Sequence, residues 1–144
     1  MSVRERVVDE ATGWIGTPYR HQGRRKGVGC DCLGLVLGVW EALRCETIEA
    51  PADYSADWAD SGSGDSLLDA FRARLIEKAV TEAEAGDLLL FAFRPHLPVR
   101  HAGVLLEGGR FVHAYERVGV IASPLVPSWR RRIRAAFAFP ASGD

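Results

Sequence analysis

Gly29-Cys30-Asp31-Cys32-Leu33-Gly34-Leu35-Val36-Leu37-Gly38-Val39-Trp40 decides how this chain folds. Up to Cys30 it reads as loop. From Cys32 to about Leu43 the apolar residues fall nearly all round a helix, the pattern of a helix buried at the centre of a domain. Gly34 and Gly38 each cost about 1 kcal/mol of helix propensity relative to alanine. Four residues apart, they share a face where another element can approach the backbone closely. A cysteine in the first turn of such a helix faces unpaired N–H groups and the positive end of the dipole. Both favour thiolate over thiol, and the thiolate is the nucleophile. Cys32 has that position, while Cys30 is still in the loop. The alternative for Cys32 is a buried structural cysteine.

Upstream, Ser2 followed by Glu5 forms a capping box, and Val3, Val7, Ala11, Trp14 and Ile15 recur at helical spacing up to a stop at Gly16. Residues 17–31 are expected to be a loop. Downstream, residues 46–66 read as an irregular excursion, and Leu68, Phe71, Leu75 and Ala79 predict a third helix. From Gly86 the pattern turns to strands over 88–93, 102–106, 110–115, 118–122 and 133–139, with Glu107-Gly108-Gly109-Arg110 as a hairpin turn. Helices first and a mostly antiparallel sheet second is α+β organisation. No repeat or linker divides the chain, so residues 1–144 are expected to be a single domain.

The composition excludes several function classes. With 47% hydrophobic and 26% charged residues the chain is an ordinary globular one. A formal net charge of -1 gives no global basic field for nucleic acid or an anionic membrane. No run reaches the roughly 18–20 apolar residues of a membrane span. The N-terminus has no apolar core of signal-peptide length, which predicts synthesis in the cytoplasm and another carrier if the substrate lies outside. Three cysteines leave an odd thiol and no disulfide framework.

A cysteine nucleophile needs a base, and the base an orienting partner. His21, His96, His101 and His113 are available. His101 opens one strand and His113 lies on the next, across the Gly108-Gly109 turn, so the two imidazoles can sit side by side. Unaided, either is also read as an ordinary strand histidine.

Five segments then occur in order: Gly16-Thr17-Pro18-Tyr19, Asp31-Cys32-Leu33-Gly34-Leu35-Val36, Ala85-Gly86-Asp87-Leu88, His101-Ala102-Gly103-Val104 and Phe111-Val112-His113-Ala114. The set resembles the NlpC-type family of papain-like cell-wall peptidases over most of the chain. The resemblance implies a central helix carrying the cysteine, packed on an antiparallel sheet carrying the histidines. It makes Cys32 the nucleophile, His101 the base and His113 the residue that orients it. Tyr19 would stand near the oxyanion with the Cys32 N–H, and Asp31 is grouped with it on the substrate side. Asp87 belongs to a structural Gly-Asp turn. Leu33 stands where many members have serine. The implied reaction is hydrolysis of peptidoglycan stem peptides, typically between D-glutamate and a diamino acid, without cofactor or metal.

Arg24, Arg25 and Lys26, just before Cys32, are candidates for binding stem-peptide carboxylates, or else a solvated basic loop. The Arg130–Arg134 cluster is read as a blunted sheet edge or a docking surface. Ser128-Trp129-Arg130-Arg131-Arg132-Ile133 and Phe137-Ala138-Phe139-Pro140 are similar to a branch found in phages and gene-transfer particles, as are Cys30-Asp31-Cys32 and the Tyr54–Trp58 segment. That branch implies carriage in a phage-like tail beside hub proteins and action in the periplasm. The alternatives are a silent structural tail component, a cytoplasmic peptidase recycling wall peptides, and an amidase or acyltransferase. A zinc site on Cys30, Cys32 and Cys45 or His21 is weakly motivated, because one Cys-x-Cys lacks the usual second pair.

Overall fold

The computed structural model describes residues 2–44 and 66–140. Cys45, the Tyr54–Trp58 segment and all but the last residue of the 46–66 excursion lie outside the described residues. Helix α1 (Val3–Gly13) opens with the expected capping box: Ser2 Oγ accepts from the Glu5 N–H at 3.1 Å, and Glu5 Oε1 accepts from the Ser2 N–H at 2.9 Å. Two donors that a helix start leaves orphaned are satisfied reciprocally. Val7, Ala11 and Trp14 are buried, whereas Ile15 stays exposed.

Residues 17–31 are more ordered than a plain loop. Two short strands, β1 (Arg24–Arg25) and β2 (Gly29–Cys30), pair antiparallel before helix α2 (Cys32–Arg44) begins. Asp31 Oδ1 accepts from the Gly34 N–H at 2.8 Å, the bond of an N-cap carboxylate, so the first helical residue is Cys32. The glycine face serves close packing. A Cβ at position 34 would overlap the Gly23 carbonyl oxygen, and one at position 38 would overlap the Trp14 ring.

The third helix departs from expectation. Helix α3 (Ser66–Arg72) stops early, and strand β3 (Ile76–Lys78) follows, then a 3-10 turn at Val80–Glu82. Leu68, Phe71 and Leu75 are buried, but Ala79 is exposed. Ile76 and Lys78 pair with Ala138 and Ala136 at the sheet edge, where backbone pairing outweighs the helical spacing of the side chains.

The remaining strands are β4 (Leu88–Phe91), β5 (His101–Leu105), β6 (Arg110–Tyr115), β7 (Gly119–Pro124) and β8 (Ile133–Ala138). A one-turn helix α4 (Pro127–Arg130) precedes β8. The six-stranded sheet has the order β3-β8-β4-β5-β6-β7, antiparallel throughout. Alternate residues of β4 divide between two cores. Leu88 and Leu90 join the helices, while Leu89 and Phe91 face Phe111, Leu125 and Ala136 with Trp129 packed over them. Burying Phe91 and Phe111 contributes about 1.5–3 kcal/mol each. Helix α2 packs on β5 and β6, which brings its N-terminus to the histidine strands.

The β5–β6 turn falls where expected: the Leu106 N–H donates to the Arg110 carbonyl at 2.7 Å, closing a three-residue loop over 107–109 in which Gly108 and Gly109 take φ 76° and 71°. Asp87 is fully buried. It pairs with Arg4 Nη1 at 2.6 Å and Lys78 Nζ at 2.9 Å and accepts from the Glu84 N–H, so it fastens α1 and β3 to the start of β4.

Candidate active site

Cys32, at the first position of α2, opens into a cavity of about 410 Å³ together with Tyr19, His21, Asp31, Arg100 and His101. His101 is the first residue of β5, opposite Phe91, and His113 lies in the middle of β6 opposite Ile121. His101 Nε2 is 2.8 Å from His113 Nδ1, and His113 Nε2 is 2.8 Å from Ser123 Oγ. Ser123 on β7 is the diagonal neighbour of His113, within reach on the same face of an antiparallel pair. Three adjacent strands therefore present a hydrogen-bonded row that leaves His101 Nδ1 as the free end of the chain.

Aromatic rings enclose the imidazoles. Trp129 stacks on His101 with centroids 5.4 Å apart and planes 29° apart, and Phe111 stacks on His113 at 4.2 Å. Burial in this box pushes His101 down to about 3, helped by His113, and His113 down to about 4. Both rings are neutral at pH 7.

The thiol behaves differently from the sequence expectation. Backbone N–H groups at the helix start and at Ala102 do favour the thiolate, but burial and the Asp31 carboxylate outweigh them and push Cys32 up to about 12. The thiol's hydrogen-bond partner is the Arg100 carbonyl, at 4.0 Å. The resting pair is a neutral thiol beside a neutral imidazole.

Tyr19 is half-buried and bridges to Cys30 through its backbone. Burial, then the neighbouring Cys32, Asp31 and Glu116, raise its phenol, which remains an O–H donor at neutral pH. Asp31 lines the cavity, yet both its oxygens are occupied: Oδ1 by the Gly34 N–H, and Oδ2 by the Gln22 N–H at 2.7 Å with His21 Nδ1 at 3.7 Å. Its carboxylate joins the 20–23 turn to the helix start.

The basic loop does not line the cavity. Arg24 pairs with Glu41 on α2, Lys26 Nζ pairs with Glu10 at 3.1 Å, and Arg25 is exposed on β1. Arg24 and Lys26 are thus ion-paired away from the cavity, and Arg25 is solvated beside them. Cys30 is a buried free thiol, pushed up to about 12 by burial and by Asp31. Among the described residues no three His, Cys, Asp or Glu side chains converge as a metal site would require.

Sequence reasoning missed Ser123, Trp129 and Arg100. Ser123 was within reach of strand register, since pairing His113 with Ile121 makes it the diagonal position. Trp129 reaches the site only because α4 folds back over the sheet, and no spacing announces that.

A family model described as the NlpC/P60 family matches residues 16–137. The chain is 28% identical over 137 residues to the Escherichia coli K12 "Murein DD-endopeptidase MepS/Murein LD-carboxypeptidase", covering 94% of this chain and 63% of that protein. It is 30% identical over 108 residues to the Bacillus subtilis "Gamma-DL-glutamyl hydrolase", covering 75% of this chain and 22% of that one. The chain thus spans less than two thirds of each of these relatives. Among solved structures, the NlpC/p60 domain of the peptidoglycan hydrolase SagA superposes with a TM-score of 0.63 at 24% identity, covering 94% of this chain and 98% of that one. A Bacillus cereus NlpC/P60 family protein superposes with a TM-score of 0.66 at 20% identity, covering 92% of this chain and 39% of that one. These two establish the fold: N-terminal helices on a six-stranded antiparallel sheet.

Proposed function

The chain belongs to the NlpC/P60 family, and from that premise we propose that it is a cysteine endopeptidase of peptidoglycan stem peptides, with Cys32 as nucleophile, His101 as base and His113 as its orienting partner. The observation that carries this is the row His101–His113–Ser123, with links of 2.8 Å, ending in the cavity that Cys32 lines.

The neutral resting pair sets the order of events. With the amide seated, the Cys32 proton passes to His101 Nδ1 and the thiolate sulfur bonds to the carbonyl carbon. The oxyanion takes hydrogen bonds from the Cys32 N–H, an orphan donor of the helix start, and from the Tyr19 hydroxyl. As the C–N bond breaks, His101 returns its proton to the leaving amine and a thioester remains. His101 then takes a proton from water as hydroxide adds to the thioester; the C–S bond breaks, His101 returns that proton to sulfur, and the acid product ionises to a carboxylate.

The relatives' names point to two kinds of bond, one in murein and one γ-glutamyl. We favour the bond between D-glutamate and the diamino acid, which unites a wall peptide with a γ-glutamyl linkage. Mass spectrometry of stem peptides and sacculi after incubation with wild type and Cys32→Ala tests this. Fragments ending in D-glutamate from wild type alone are expected; the same fragments from Cys32→Ala would overturn the nucleophile, and cuts only elsewhere would overturn the bond.

Delivery by a phage-like tail is proposed on the resemblance carried by Cys30-Asp31-Cys32 and by the stretch from Ser128 to Pro140. Recovery of the chain in purified particles tests it. Confinement to the soluble cytoplasm would instead favour recycling of wall peptides.

A further inference from the structure

A second groove, of about 490 Å³, opens beside the catalytic cavity, and Phe93 borders both. Arg94, Arg131, Arg132 and Arg134 line it, and no carboxylate among the described residues does. Among the described residues Arg94, Arg131 and Arg132 form no ion pair, so their mutual repulsion is uncompensated within the fold.

The groove is built rather than merely charged. Arg134 Nη2 donates to the carbonyls of Pro95 at 2.7 Å and Leu97 at 2.9 Å, with a longer contact to Arg94 at 3.4 Å, which holds the loop bearing Arg94 and Phe93. The Arg132 guanidinium lies 5.7 Å from the Phe93 ring centre and 5.9 Å from that of Trp129, the ring stacked on His101. Cation–π contact holds the guanidinium at the rim of the active site.

We propose that this arginine groove is a carboxylate-binding subsite for the part of the peptide substrate that extends past the scissile bond. The inference rests on the peptidase reading above. Guanidinium forks match carboxylates two hydrogen bonds at a time. Peptide advances about 3.3–3.6 Å per residue when extended, so a chain held at Cys32 crosses Phe93 within a few residues. That continuity favours a carboxylated peptide over a nucleic acid, which would bind independently of the thiol's cavity.

The test uses the full chain carrying Cys32→Ala, which holds peptide without turnover. Calorimetry compares a stem peptide with free carboxylates against the same peptide with its carboxylates amidated. The acid form should bind at least about tenfold tighter. Adding Arg94→Gln and Arg131→Gln, both exposed, should bring the two peptides to within about twofold of each other. Arg130→Gln, the same charge change on the same turn but outside the groove, should leave the discrimination intact. Absence of discrimination, an equal loss with Arg130→Gln, or no binding of either peptide would each overturn the subsite. So would an oligonucleotide that binds tighter than the peptide and is lost with the same two arginines. Wild-type cleavage, measured in parallel, separates the two proposals. Discrimination without cleavage leaves the groove and removes the peptidase reading, while cleavage without discrimination does the reverse.

Discussion

His101 Nε2 and His113 Nδ1 stand 2.8 Å apart, and this contact orders the protons of three residues. For His101 Nδ1 to accept from the thiol, Nε2 must carry the hydrogen. His113 Nδ1 is then the acceptor, and His113 Nε2–H donates to Ser123 Oγ. One tautomer at each ring satisfies the whole row.

His113→Ala leaves the buried Nε2–H of His101 without an acceptor, so kcat should fall roughly hundredfold with little change in KM. His113→Asn, whose side-chain oxygen can accept, should recover much of that loss. An asparagine variant as poor as the alanine would mean that His113 acts by filling space. Ser123→Ala removes the last acceptor and should lower stability by about 1 kcal/mol, with a smaller fall in kcat.

The Cys32 thiol is held well above the ordinary value by burial and Asp31. Iodoacetamide should therefore label it more slowly at pH 7 than it labels a free cysteine, with the rate still climbing beyond pH 10. Mass spectrometry of the labelled peptide gives the rate. Rapid labelling at pH 6 would show that a thiolate–imidazolium pair already exists at rest.

Stability should be flat between about pH 6.5 and 9 and decline on both sides. His101 and His113 have folded values of about 3 and 4 against 6.5 when unfolded. The unfolded chain therefore binds more protons as pH falls below 6.5, and stability is lost by up to about 1.4 kcal/mol per pH unit per ring. Cys30 and Cys32, raised to about 12 from 9, add stability that is lost as pH rises above 9. Urea midpoints from pH 4 to 11 give the profile. A midpoint that does not drop between pH 6.5 and 5 contradicts neutral buried imidazoles.

Gly34→Ala puts a methyl group into the Gly23 carbonyl oxygen. Neither backbone can turn away as a side chain would, so a loss of roughly 1–3 kcal/mol is expected. Denaturant unfolding would read it, and an unchanged midpoint would mean that the 20–24 loop yields freely.

Much of this molecule is legible in its sequence because its strongest signals are local. The all-apolar run after Cys32, the Ser2–Glu5 cap and the Gly108-Gly109 turn each specify their element within a few residues, and all three are present. Strand β3 is not legible. Three residues, two of them exposed, carry no periodicity, and only β8, some sixty residues away, makes them a strand. The site divides the same way. The two histidines follow from a hairpin, but the basic residues near Cys32 in sequence turn outward to Glu10 and Glu41, while arginines of the 94 and 131–134 segments gather beside the cavity through sheet pairing. A helix start can be read from spacing and predicts an acidic thiol, whereas the burial that raises the Cys32 thiol cannot be read that way.

The Gly108-Gly109 hairpin tip lies beyond the end of β5 opposite His101, a strand roughly 13 Å long. Nothing stands within 4 Å of where side chains at these two positions would begin. Exposed loop tips of this kind tolerate insertion. The tip is therefore the natural attachment point for a fluorophore, an affinity handle or a fused wall-binding module, leaving the cavity mouth and the arginine groove unobstructed.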